Sequence, residues 1–135
     1  MKTLTVAAKV DSLDAVTDFV NGELEAYDCP MKVQMQLELA IEEIFANIVS
    51  YAYQPVEGEA EICCEVAEDP LSVVIQFLDG GKPFDPLARE TSEEAFAEDR
   101  VGGLGIFMVK NTMDDIQYSY ENGKNILTIR KALSE

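Results

Sequence analysis

Asp79-Gly80-Gly81-Lys82-Pro83-Phe84-Asp85-Pro86, and after it Val101-Gly102-Gly103-Leu104-Gly105-Ile106-Phe107-Met108-Val109-Lys110, are the stretches that decide how this chain folds. The first ends an apolar run, Leu71-Ser72-Val73-Val74-Ile75-Gln76-Phe77-Leu78, with the composition of a buried strand. The second opens directly into a segment that reads as a helix. Glycine at the mouth of a helix lets backbone N–H groups approach an anion with no side chain between, and the positive end of the helix dipole favours negative charge there. Strand, Asp-Gly-Gly, loop, Gly-Gly-Leu-Gly and helix together read as a nucleotide pocket. The second stretch fits neither G-x-x-x-x-G-K-[ST] nor G-x-G-x-x-G, which removes two common nucleotide folds.

Outward from these stretches, residues 2–9 alternate as a half-exposed strand. Asp11 or Ser12 can cap a helix running to about Tyr27, with Val16, Phe19, Val20 and Leu24 on one face. Asp28-Cys29-Pro30 breaks it, and Pro30 suits the first turn of the next helix. That helix is expected from Met31 to Tyr53, with Leu37, Ile41, Ile44, Phe45, Ile48 and Val49 buried and Gln54-Pro55 as its stop. Glu59–Glu68 and Leu71–Asp79 read as a hairpin across Asp69-Pro70. From Asp85 to Arg100 the chain turns polar and acidic. Leu104–Met113 reads as a helix, and Asn122-Gly123 joins Ile116–Glu121 to Asn125–Lys131 as a tight hairpin. The order β α α β β (lid) α β β predicts an α+β two-layer sandwich, not a doubly wound parallel sheet.

Composition narrows the function. The 135 residues suit one domain, and 47% apolar content builds an ordinary core. No run of about 18 apolar residues occurs, and the opening Met1–Val10 alternates as a strand rather than a signal peptide. The expected compartment is the cytoplasm, with no membrane contact. Cys29, Cys63 and Cys64 are an odd, sparse set, and adjacent Cys63 and Cys64 on a strand face opposite ways. With no histidine in the chain, a zinc site and histidine-based acid–base chemistry are disfavoured. Twenty-six acids against ten bases give a net charge of −16, which argues against nucleic acid as a partner. It also opposes a polyanionic nucleotide unless a metal ion, helix-end amides and placed cations offset it locally. Lys82, Arg89, Arg100 and Lys110 are the cations near the glycine segments.

Three side chains can carry chemistry. Glu43 and Asn47 are one turn apart on the same side of the long helix, at the edge of its apolar stripe. An Asn carbonyl oxygen is a hard ligand for Mg²⁺, and a carboxylate one turn away can orient or deprotonate a nucleophile. A solvated polar edge is the plainer reading, since Glu38 and Glu42 share the helix. Asp79 ends a strand, where its carboxylate can accept a hydrogen bond from an exocyclic amino group such as that of adenine. Gly81 permits a close turn beneath the base, and Pro83 with Phe84 stiffens the exit.

Glu43 and Asn47, then Asp79-x-Gly81-x-Pro83, then Gly103-Leu104-Gly105 occur in a specific order. Together they resemble the N box and two glycine boxes of the GHKL ATP-binding superfamily, most nearly its anti-sigma-factor serine kinases. The resemblance spans about Val33 to the C-terminus, and Phe84-Asp85-Pro86 extends it into that branch. It implies a Bergerat ATP-binding fold, with a mixed, mostly antiparallel sheet covered by helices on one face. Glu43 would be the catalytic base and Asn47 the ligand of Mg²⁺ carried by ATP. Asp79, with Gly81 and Pro83, would hold adenine. Gly103, Leu104 and Gly105 would hold phosphates, with Arg100 reaching them from a lid at about 86–101. Tyr51-Ala52-Tyr53 departs from the His-Gly-Tyr often found in this branch.

The implied activity is transfer of phosphate from Mg-ATP to a serine on a STAS-type anti-sigma-factor antagonist, in bacterial transcription or stress regulation. A sigma factor would be a second partner, and the implied assembly is a homodimer. The alternative is an ATP-binding module that switches partners with nucleotide state and transfers nothing. A detached histidine-kinase catalytic domain and an acidic interaction domain with ordinary turn glycines also remain open.

Overall fold

The computed structural model describes residues 2–52, 58–68, 70–83, 85–88 and 103–133. Strands β1 (Lys2–Ala7), β2 (Glu59–Ala67), β3 (Ser72–Asp79), β4 (Asp115–Glu121) and β5 (Lys124–Ala132) form one sheet in the order β1-β2-β3-β5-β4. All four pairings are antiparallel, so the mixed component implied by the resemblance is not found among the described strands. The local reason is that both β2–β3 and β4–β5 are hairpins. In the second, Asn122 and Gly123 have φ of 53° and 76°, the two positive values a type I′ turn demands.

Among the described residues, three α-helices, α1 (Leu13–Leu24), α2 (Met31–Asn47) and α3 (Gly103–Thr112), complete the α+β arrangement. Alternation decides which sheet face they cover. Ile62 and Cys64, Val73, Ile75 and Phe77, and Leu127 and Ile129 are buried with Val16, Val20, Leu37, Ile41, Ile44 and Phe45 in one core. Full burial of each large side chain contributes about 1.5–3 kcal/mol. Truncating Phe45, 1% exposed, to alanine costs about 3–5 kcal/mol by this kind of contact. The opposite face carries Thr3, Cys63, Gln76 and Thr128. Cys63 and Cys64 therefore point to opposite faces, yet both are buried.

Helix boundaries shift from the expected ones. A 3-10 turn at Val10–Ser12 precedes α1, and Ser12 makes no side-chain cap bond. Another at Glu25–Tyr27 ends in Asp28, left-handed at φ 48°. Pro30 stands just before α2, where its fixed φ starts the helix and its carbonyl accepts from Gln34 N–H at 2.9 Å. Regular α2 stops at Asn47, and Ile48–Ala52 is a π-helical turn rather than more α-helix. Val49 is half-buried rather than core. The stop at Gln54-Pro55, Asp69 of the β2–β3 turn and residues 89–102 of the expected lid lie outside the described residues. Pro86–Ala88, where that lid begins, is a 3-10 turn held by Leu87 N–H donating to Asp85 Oδ1 at 2.8 Å.

Candidate nucleotide site

Asn47 is the last residue of α2, on the side that meets the sheet, and is 5% exposed. The helix widens just beyond it, where the chain continues as the π turn Ile48–Ala52. Single π turns of this kind concentrate at functional sites. The Asn47 carboxamide makes no hydrogen bond among the described residues, although burying an amide without a partner costs about 1–3 kcal/mol. It lines a cavity of about 30 Å³ at the end of β3, together with Asp79, Asn125, Tyr118 and Pro86.

Asp79 is the last residue of β3 and 6% exposed. Its Oδ1 accepts two bonds, from Gly81 N–H at 3.0 Å and from Asn125 Nδ2 at 2.9 Å. Burial pushes the carboxyl above the usual carboxylate range, and these two bonds pull it part of the way back. Oδ2 receives neither bond, so it is the oxygen left for a ligand.

Asn125 faces Asp79 directly across the β3–β5 pairing. Its amide nitrogen donates to Asp79 and also to the Lys82 carbonyl at 2.9 Å, while the Tyr118 hydroxyl donates to its Oδ1. This network ties β4, β5, β3 and the glycine turn into one rigid wall. Neither Asn125 nor Tyr118 was expected from the sequence. The available signal was a polar residue in the inward register of β5, followed by buried Leu127 and Ile129.

The remaining expected residues divide. Gly81 joins the site through its N–H bond to Asp79. Pro83 is exposed and does not line the cavity, a place taken by Pro86. Gly103, Leu104 and Gly105 form the first turn of α3, whose N–H groups have no partner within the helix, and Arg100 lies outside the described residues. Glu43 does not share the cavity. It is half-buried and lines a groove between α2 and α3 with Leu39, Met108 and Thr112. Burial, and secondarily the adjacent Glu42 charge, raises its carboxyl above the usual value.

These donors fit a nucleotide better than a metal held by protein alone. No three acidic, cysteine or histidine side chains cluster for an ion among the described residues. One orphaned carboxamide oxygen suits a hard, hydrated cation whose other ligands come from phosphates. No described helix is long and apolar enough to cross a membrane.

Comparison with known proteins bears on the family and the fold. The sequence profile of the histidine kinase-like ATPase domain family matches residues 6–131. Proteins named serine-protein kinase RsbW are similar to the chain. The one from Listeria innocua is 33% identical over 98 residues, covering 67% of this chain and 61% of its own. The one from Staphylococcus epidermidis is 29% identical over 101 residues, covering 69% and 62%. The chain thus spans about three fifths of the length of the curated relatives it matches. Among solved structures, the RsbU and RsbW domains of a Mycobacterium tuberculosis protein superpose with a TM-score of 0.67 at 16% identity, covering 100% of this chain and 33% of that one. The histidine kinase domain of a blue-light activated kinase from Erythrobacter litoralis gives 0.61 at 12% identity, covering 91% and 60%. These two establish the fold alone.

Proposed function

This chain belongs to the histidine kinase-like ATPase domain family, and from that premise we propose that it is a Mg-ATP-dependent serine kinase of the anti-sigma-factor type. One observation carries the nucleotide claim. Asn47 and Asp79, 32 positions apart in sequence, converge on one cavity, and each brings a buried polar atom with no bond among the described residues. In this reading Asp79 Oδ2 accepts from the adenine amino group, and Asn125 and Gly81 hold the carboxylate in place. Asn47 supplies an oxygen toward Mg²⁺, which when bound neutralises triphosphate charge against the acidic chain. The amides of Gly103, Leu104 and Gly105 face the phosphates, with Arg100 arriving from the lid. A cavity of about 30 Å³ holds little more than a water, so a base enters only when the walls of the cavity move apart.

The substrate in this reading is a serine on a STAS-type antagonist protein, with Glu43 taking or orienting its proton. A sigma factor and a second copy of the chain complete the partners, in the cytoplasm, and residues 1–135 act as one domain. A non-catalytic nucleotide switch is favoured by one observation: Glu43 opens on the α2–α3 groove and not on the cavity. Thermal unfolding tests the pocket. Mg-ATP at about 100 times its dissociation constant adds about 2.7 kcal/mol of stability. Mg-GTP adds far less if Asp79 reads adenine. Absence of any shift removes the nucleotide reading, and labelled ATP with candidate STAS proteins then separates kinase from switch.

A further inference from the structure

The core-facing side of α2 is fully used, and its outer side mixes polar residues with a row of apolar ones. Met31 is 77% exposed, Met35 56% and Leu39 46%, at spacings of four along the helix. Met108 of α3, 40% exposed, lies across the groove from Leu39. The three α2 anchors span eight residues, or about 12 Å at 1.5 Å per residue. Single exposed apolar residues are ordinary, whereas a row at helical spacing marks a surface that is covered in use. Methionine suits such a surface because its unbranched, polarisable side chain repacks around a partner.

Charge selects the partner. Glu42 is exposed beside the stripe, Glu43 closes the groove at its C-terminal end, and Glu38 flanks the other side. Glu38 is kept in place by Asn21, whose Nδ2 donates to its Oε1 at 3.0 Å. Lys32 is the one cation on α2. An apolar row edged by carboxylates repels the chain's own segment at 89–101, which carries Glu90, Glu93, Glu94, Glu98 and Asp99 against Arg89 and Arg100. The same carboxylates disfavour an anionic membrane and nucleic acid.

We propose that the exposed row Met31, Met35 and Leu39 of α2, which runs into the groove that Leu39 shares with Met108 of α3, is a docking surface for a basic amphipathic helix of a partner protein. The partner lays apolar residues at i, i+4 and i+8 into the groove, and its flanking lysines or arginines meet Glu38 and Glu42. The surface shares no lining residue with the nucleotide cavity, although its groove end holds Glu43, and docking itself does not require phosphate transfer.

The test uses the full chain and a labelled helix-forming peptide of about 16 residues, long enough to be partly helical alone. It carries leucine at i, i+4 and i+8 and lysine on the flanks, and an otherwise identical peptide carries glutamate there. Fluorescence anisotropy is expected to show binding of the basic peptide that weakens with salt, and none of the acidic one. Met35→Lys is expected to weaken binding at least tenfold, and Glu42→Lys severalfold. Both variants should keep the parent's denaturation midpoint and its response to Mg-ATP, which shows that the fold is intact. Equal binding of both peptides, or binding indifferent to Met35→Lys, overturns the proposal. So does no binding of the basic peptide at high micromolar concentration. A dimer in sedimentation that Met35→Lys dissociates also overturns it, because the groove is then filled by a second copy.

Discussion

Asn125 Nδ2 donates to Asp79 Oδ1 at 2.9 Å across two paired strands, and both residues are at least nine-tenths buried. The bond joins the one buried carboxylate among the described residues to a side chain whose other atoms are already committed to Lys82 and Tyr118. Asp79 therefore presents a fixed Oδ2 rather than a rotating carboxylate.

Replacing Asn125 by alanine is expected to lower stability by about 1–3 kcal/mol, since it removes one of the two bonds to Asp79 Oδ1 together with the bonds to the Lys82 carbonyl and from the Tyr118 hydroxyl. Urea titration at neutral pH measures this. ATP affinity, read by calorimetry, should fall further than that of Tyr118→Phe, which leaves the bond to Asp79 intact.

Asp79 also gives the fold a pH dependence of defined sign. Its folded-state carboxyl is raised, chiefly by burial, so the native state keeps a proton that the unfolded chain has released. Stability then falls as pH rises from the ordinary carboxylate value, about 4, through the raised one. Asp79→Asn should flatten that segment of the urea-midpoint profile while abolishing preference for adenine. Glu43 is raised as well and contributes in the same direction, so Glu43→Gln serves as the comparison. An unchanged profile in both variants would contradict the burial argument.

The thiols should separate by accessibility. Cys64 lies in the core, where burial chiefly, with the Glu23 charge, pushes its thiol up to about 12. Cys29 is half-buried and its thiol is raised by burial alone. Native-state alkylation followed by mass spectrometry should modify Cys29 first and Cys64 only at the rate of unfolding, because the thiolate is the reactive form.

The contrast between Asn122 and Asn125 shows what could be read from residues alone. Asn122-Gly123 is a local signal, since two positive φ values and two residues suffice to specify the turn. The strand β3, the apolar face of α2 and the order of elements were legible for the same reason, as periodicity is local. Asn125 matters only because β5 pairs with β3 in one register and not a neighbouring one, which no local pattern reveals. The π turn after Asn47 likewise arises where α2 leaves the core, and the sequence through Ile48 and Val49 still reads as continuous helix. Asn47 and Asp79 stand out in the sequence by their motif context, while their convergence on one cavity is set by the packing of α2 against the end of β3.

Glu43 decides between kinase and switch, and Glu42 offers a way to test it without touching the base. If Glu43 takes the serine proton, Glu43→Gln should lower phosphotransfer by about 10²–10⁴-fold while leaving the Mg-ATP thermal shift in place. A variant that keeps full transfer leaves Glu43 with no proton to move. The finer check uses the cause of its shift. Burial raises its carboxyl first, and the neighbouring Glu42 charge raises it further. Glu42→Gln removes the like charge, so the Glu43 carboxyl should fall toward the ordinary range. A general base must be ionised, so the acidic limb of the rate–pH profile should then move to lower pH with the plateau unchanged. A side chain that only packs beside Met108 would leave that limb where it was.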